Sequence, residues 1–538
     1  MRTLASAAAA SALLSLVSGC AGEVRVEAVL PADVDDGTLA EVRSFEIVAT
    51  EGSSGTERVA SSTQVGKLSI PDLSEGRWTF FLEATDASGR VLLQAEAGPL
   101  AVTRSGEATV RAVLAPVESI VRLPAGGAAA DEIAQLQGLS ATTFSADLGA
   151  ALVLIAGGDA GDGPTRQAWV YDPARVAFEA VGRMRCPRAG HAATTVAIGD
   201  GREAVLVAGG GSEPCGTGAS SATAANSIEL FDPDNRSFDV LEVGWHSRPP
   251  DLSSAQLAPL APLDSRRVIL SADGEIWVLD LDRPAAWQEL PDAEADVSDG
   301  RLAADPSTGA VAIVGDARIG LFDLFGNYCG STERAGALAG TPVTAAVHWG
   351  SRLFVAEGMD WSLLEVRADC SLTDDLYQGD LARGAAGATT TALGDGRILI
   401  VGGAAAAGAA DTELLLPACG RSTVPLLRPG PAARHTGSGH AAAALPDGSA
   451  LILGGGAEAE LFSPLRLRPR PTGNSCWWPE QTSRFDREAR PDLNEKNRIV
   501  VVMDATPAAA SLREDLGQRA RNMMPRQEGL DGEMAEGI

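Results

Sequence analysis

Cysteine, histidine and tyrosine are the residues with which this sequence could do chemistry, and the chain holds 7, 5 and 3 of them. One thiol, Cys20, ends an apolar amino-terminal run, whereas Cys186, Cys215, Cys329, Cys370, Cys419 and Cys476 are dispersed through the rest. None of these six is spaced C-x-x-C, which disfavours zinc, and an even number of thiols in an exported chain points to disulfides. The histidines are His191, His246, His348, His435 and His440. Two of them, His191 and His440, each follow a glycine at the head of one recurring phrase, so they are read as structural. Both lysines stand in unpromising places: Leu68 follows Lys67, and Lys496 lies in a polar tail. Phosphate-loop and kinase chemistry therefore fall away, and no G-x-S-x-G elbow or H-E-x-x-H helix is present. The net charge of -28 excludes general nucleic-acid binding, because such a field repels phosphate backbones. No catalytic residue, metal ligand or cofactor is assigned.

The amino terminus carries a targeting pattern. Arg2 supplies a short positive region, and Leu4 to Val17 is an apolar stretch too short to span a bilayer but suited to a secretory signal. It closes on Val17-Ser18-Gly19-Cys20, which resembles the bacterial lipobox. That resemblance implies a signal peptide over 1–19, lipidation of Cys20 and attachment to the membrane through acyl chains. Ala21 stands where an Asp would mark inner-membrane retention, so the implied location is the cell envelope at the outer membrane. No later stretch has the roughly 18 uninterrupted apolar residues that a spanning helix needs.

The elements that must position these residues are strands. Abundant glycine and proline, few aromatics and short alternating segments predict an all-β protein. Over 20–116 the strands are read at Glu23 to Leu30, Val42 to Thr50, Gly66 to Ile70, Arg77 to Thr85, Arg90 to Ala97 and Glu107 to Leu114, with Asp86-Ala87-Ser88-Gly89 as a hairpin turn. With no helical pattern, they predict a small antiparallel β-sandwich. The passage from Gly66 to Ile70 and on to Gly76-Arg77-Trp78-Thr79 resembles immunoglobulin-like or carboxypeptidase-regulatory-like modules, which implies a spacer next to the anchor.

Residues 117–470 repeat a phrase. Gly138-Leu139-Ser140, Gly190-His191-Ala192, Gly387-Ala388-Thr389 and Gly439-His440-Ala441 each open a strand, and a following strand closes on Gly157-Gly158, Gly209-Gly210, Gly402-Gly403 or Gly454-Gly455. Asp200-Gly201, Asp395-Gly396 and Asp447-Gly448 read as type I′ hairpin turns between the two. A third strand follows, as in Ile228-Glu229-Leu230-Phe231, and a fourth carries Phe178 or Phe238. Weaker markers fall at Ser271-Ala272-Asp273-Gly274, Gly315-Asp316 and Glu357-Gly358. The pattern resembles kelch-type β-propellers, whose four-stranded blades recur about every fifty residues, and implies seven blades here. Ser119 to Leu123 has no other role and is expected to complete the last blade. Cys186 and Cys215 bracket the first hairpin of the second repeat, so their sulfurs should meet. Sequence proximity then pairs Cys329 with Cys370 and Cys419 with Cys476.

Some propellers of this kind, the galactose oxidases, hold copper with two tyrosines and two histidines. Here Tyr171 takes the place of the blade aromatic, and with Tyr328 and Tyr377 too few independent ligands remain. The tail, 471–538, has Cys476-Trp477-Trp478 and a short strand and helix from Arg498 onward, with Thr506-Pro507 as the helix start. The resulting expectation is a membrane-anchored lipoprotein whose propeller is a non-enzymatic scaffold for an envelope protein or glycan. The alternatives are an oxidase or carbohydrate-active enzyme with its site in the central channel, and a purely structural envelope component.

Overall fold

The computed structural model describes residues 22–466 apart from short internal stretches, the longest being 216–222, 242–250, 334–344 and 417–424. The protein is all-β, built of many small sheets that are antiparallel with one exception. Residues 1–21 and the whole tail, including Cys476, Trp477 and Trp478, lie outside the described residues.

The first eight strands make two sheets that share one core. Leu68–Leu73, Gly22–Val29 and Glu107–Val113 form a three-stranded sheet in that order. Glu57–Ser62, Ser44–Glu51, Gly76–Thr85, Val91–Val102 and Ala115–Pro116 form a five-stranded one. The alternating residues explain the arrangement: Val24, Val26, Ile70 and Val110 from one sheet meet Ile47, Trp78, Phe80, Leu82 and Leu93 from the other. Two expectations are corrected. Gly22–Val29 runs parallel to Glu107–Val113, with Val24 opposite Ala108 and Val26 opposite Val110, because alternation dictates which face is buried and is blind to strand direction. A one-and-a-half-turn helix, Asp36–Glu41, also interrupts the strands; Asp35 caps it by accepting from the Thr38 amide at 2.8 Å.

Among the described residues the repeats form seven four-stranded antiparallel sheets, spanning 140–180, 192–241, 256–289, 301–333, 345–380, 384–429 and 440–463. The seventh takes its fourth strand from Ser119–Arg122, which pairs with Glu460–Ser463 as expected for a closing strand. The first strand of each sheet lies beside the first strand of the next, and Ser140–Ser145 also lies beside His440–Ala444, so the series of neighbours returns to its start. Second strands are continuous apolar runs, such as Val153 to Ala156 and Val205 to Ala208, because sheets cover them on both faces. One core, for example, joins Phe144, Leu154 and Val170 of the first sheet to Val205, Val207 and Phe231 of the second.

Turn chemistry departs from expectation in detail. Gly396 and Gly448 have φ of 86° and 87°, but Asp395 and Asp447 before them do not lie in the left-handed region, so these are not type I′ turns. Each aspartate accepts from the amide two residues on, at 3.1 Å from Arg397 and 3.0 Å from Ser449, which stabilises an ordinary turn followed by a left-handed glycine. Asp273-Gly274, by contrast, has both φ positive, at 53° and 79°. A second unforeseen helix, Ala128–Gln135, precedes the first sheet and buries Ile133 and Ala134.

Candidate functional site

The sequence-predicted thiols close two disulfides. Cys186 joins Cys215 with Cα atoms 4.1 Å apart, and Cys329 joins Cys370 at 6.1 Å. The first brackets the hairpin Ala192–Gly199 and Arg202–Ala208, whose strands return the chain to its start. The second links the fourth strand of one sheet, Tyr328–Glu333, to the connection after Asp360–Glu365 in the next. Cys20, Cys419 and Cys476 lie outside the described residues.

Beside the first disulfide sits a densely bonded buried charge. Arg188 is fully buried and donates to the Glu229 carboxylate at 3.0 and 3.1 Å, to the Gly209 carbonyl at 2.6 Å and to the Ser227 hydroxyl at 2.8 Å. Glu229 also accepts from the amides of Arg185 and Cys186. Burial draws the Arg188 pKa below its ordinary value, and the Glu229 charge opposes that shift. A carboxylate that is fully buried and takes four hydrogen bonds from the chain around it faces no substrate, so its role is to hold the chain. The same device recurs in two other third strands. Glu413 accepts from the Ala382 amide, and Glu460 from the Arg434 amide and from His435 Nδ1 at 2.6 Å. The sequence places Glu229 in a third strand without giving it a task; a charged residue recurring inside an apolar strand is the available signal.

The two phrase histidines work as wedges between sheets. His191 Nε2 lies 2.8 Å from Ser140 Oγ of the preceding sheet, and His440 Nε2 lies 3.0 Å from Thr389 Oγ1 and 3.1 Å from the Val401 carbonyl. The paired glycines explain themselves here. A Cβ on Gly157 would sit 2.8 Å from His191 Cε1, and one on Gly402 would sit 2.5 Å from His440 Cε1. Gly210 and Gly455, the second members of the pairs in each histidine's own sheet, would meet its Cβ at 2.7 and 3.0 Å. Leu139 fills the same place against Gly454 at 2.5 Å, so packing is the shared property of the position. Burial, with the Arg188 charge adding to it, pushes His191 down to about 3. Burial, with the His435 charge adding to it, pushes His440 down to about 4. Both rings are neutral at pH 7.

The three tyrosines lie in three different sheets. Tyr171 packs on Phe178 and Tyr328 on Phe322, each within its own sheet, and burial raises the Tyr171 pKa from its ordinary value. Tyr377 lies in the fourth strand of a third sheet. His246 falls outside the described residues. No group of three or more His, Cys, Asp or Glu placed to hold a metal occurs among the described residues, and no helix among them is long and apolar enough to cross a membrane.

Sequence freedom lies instead in the connections between second and third strands. In the first sheet Asp159 accepts from the amides of Gly161 and Gly163, at 2.6 and 3.0 Å, and shapes a polar loop. The equivalent stretches 211–226 and 404–410 fall largely outside the described residues. Compared with known proteins, the chain matches no family model and no curated sequence.

Proposed function

We propose that this chain is a cell-envelope lipoprotein, anchored at Cys20, in which a β-sandwich precedes a seven-bladed kelch-like propeller that binds a protein or glycan and performs no chemistry. The observation that carries the propeller is the cyclic order of sheet neighbours, from Ser140–Ser145 round to His440–Ala444, with Ser119–Arg122 supplying the last strand. The binding role is supported by how the reactive side chains are used. The described thiols form disulfides, His191 and His440 fill seams, and Glu229 and Glu460 hold backbone, which leaves the second-to-third-strand connections as the variable surface. In a propeller these connections gather on one face, and being small and polar or Ala-rich they suit a broad contact more than a deep pocket. Replacing 160–163, 216–222 and 404–410 with short Gly-Ser turns, which keeps Cys215 and its disulfide to Cys186, should abolish partner capture and leave the melting temperature unchanged. Undiminished capture, or turnover by the purified protein that survives this replacement, overturns the reading. For the anchor, Cys20→Ser should release the protein from membranes, and a variant that stays membrane-bound overturns it.

A further inference from the structure

The amino-terminal strands touch the repeats through bonds that a passive spacer does not need. Gln94, 1% exposed, exchanges two hydrogen bonds with the backbone of Arg466: its Nε2 donates to the Arg466 carbonyl and its Oε1 accepts from the Arg466 amide, both at 2.9 Å. Arg466 in turn donates to the Asp447 carboxylate at 2.7 Å in the first turn of the seventh sheet. Asp33 accepts from the Arg122 amide at 2.7 Å and from the Arg434 guanidinium at 2.9 Å. On the first sheet, the Arg111 amide donates to the Ala174 carbonyl at 2.8 Å. Val29, Val113 and Ala115 complete the contact by packing in the core that joins the first and seventh sheets.

These contacts fall on both sides of one seam, the junction where the series of repeat sheets closes. We propose that the amino-terminal unit is a clamp across that junction, holding the closing strand Ser119–Arg122 in place and fixing the direction in which the repeats face. Asp33 covers the outer edge of the closing strand, which would otherwise present an unpaired amide at Arg122. Gln94 grips the chain just after the seventh sheet ends, and Arg111 grips the first. One set of strands thus touches both ends of the series.

Orientation follows from the same contacts. Ala174 lies in a third-to-fourth-strand turn and Asp447 in a first-to-second-strand turn, and in an antiparallel sheet both stand opposite the second-to-third-strand connections. Gly22 lies about 23 Å along its strand from the contact at Val29, at ~3.3 Å per residue. Resting on the anchored-propeller reading for this consequence only, these two contacts seat the amino-terminal unit against turns opposite the variable connections, while Asp33 reaches up the outer edge of the seventh sheet.

Hydrogen exchange on the full-length Cys20→Ser protein tests the clamp without lipid or ligand. The amides of Arg111, Arg122 and Arg466 should be protected as strongly as those within the closing pair, and unfolding should be a single transition. In Asp33→Ala/Gln94→Ala, exchange within Ser119–Arg122 and Glu460–Ser463 should quicken by about tenfold while Val311–Val314, remote in the fourth sheet, is unchanged. Separate melting of the amino-terminal strands, or unaltered exchange of the closing pair in that variant, overturns the proposal. If the variant does not fold, protection in the parent protein still decides. A failure here leaves the loop-replacement result standing, and the reverse also holds.

Discussion

The repeats with the clear phrase and those without it build the same sheet and join it to its neighbours differently. At two of the outer seams a buried ring is added between sheets, His191 against Ser140 and His440 against Thr389, each cradled by left-handed glycines. In the middle repeats Gly358 has nothing within 4 Å of a Cβ, and the seams are apolar: Ile269 and Val278 meet Val311 and Ile313, and Val314 and Leu321 meet Leu353 and Val355. A polar link is also present there. Gln256, at the head of its first strand as Ser140 is of its own, reaches across to the Gly300 carbonyl and the Leu302 amide at 3.1 and 2.9 Å. The recurring phrase thus records how sheets are joined, whereas apolar second strands and tight turns suffice to form them.

The largest effect should come from the junction that no sequential repeat can supply. Deleting 119–122 strips the seventh sheet of its fourth strand and should lower the melting temperature sharply, by 10 °C or more on the order of a few kcal/mol lost. Removing Gln288–Glu289, the exposed two-residue fourth strand of the third sheet, should change it by only a degree or two, at roughly 0.5 kcal/mol. Equal losses would show that closure is not special.

Glu229→Ala should follow, at about 3–5 kcal/mol in denaturant unfolding, because it leaves Arg188 buried without its counter-charge. A loss below about 1 kcal/mol would mean that the buried pair is not the staple described.

Glycines sharpen the contrast between clear and weak repeats. Gly157→Ala must accept both φ of 62° and a Cβ 2.4 Å from the Arg188 carbonyl, and should cost about 3 kcal/mol or more. Gly274→Ala has φ of 79° but open space, so strain alone should cost about 1–2 kcal/mol. The same cost at both positions would remove the wedge from the account.

The smallest effect at pH 7 belongs to His191→Leu, about 1 kcal/mol, since Leu139 already fills the equivalent place. Its signature is in acid. A histidine held near 3 in the folded chain and near ~6.5 when unfolded takes its proton first in the unfolded state, so stability falls as pH drops below about 6.5. By pH 5 the wild type should have lost about 2 kcal/mol at this residue, and a similar amount at His440. The variant should show a shallower slope between pH 6.5 and 4; an unchanged slope would place the titration elsewhere.

The repeat, the closing strand and the disulfides Cys186–Cys215 and Cys329–Cys370 are legible because each leaves a mark in one dimension: a recurring phrase, a strand without a partner, thiols that flank a hairpin, and thiols that are neighbours in sequence order. The parallel pairing of Gly22–Val29 is not, since Val24 and Val26 alternate identically in either direction. Helix Ala128–Gln135 is masked in the sequence by Gly126-Gly127, although its Ala-rich composition favours a helix. The wedge glycines could be seen as a motif, but their reason could not, because Gly157 meets His191 only when two sheets stack. The clamp was invisible for the same cause: Gln94 and Arg466 are 372 residues apart.

Photo-crosslinking in intact cells tests the central claim, that a partner is held by the second-to-third-strand connections, most directly. A crosslinking amino acid placed at Asp162, in that connection of the first sheet, should capture a partner, while one at Asp234, in the third-to-fourth-strand turn of the second sheet, should not. Capture from Asp234 and none from Asp162 would contradict the account.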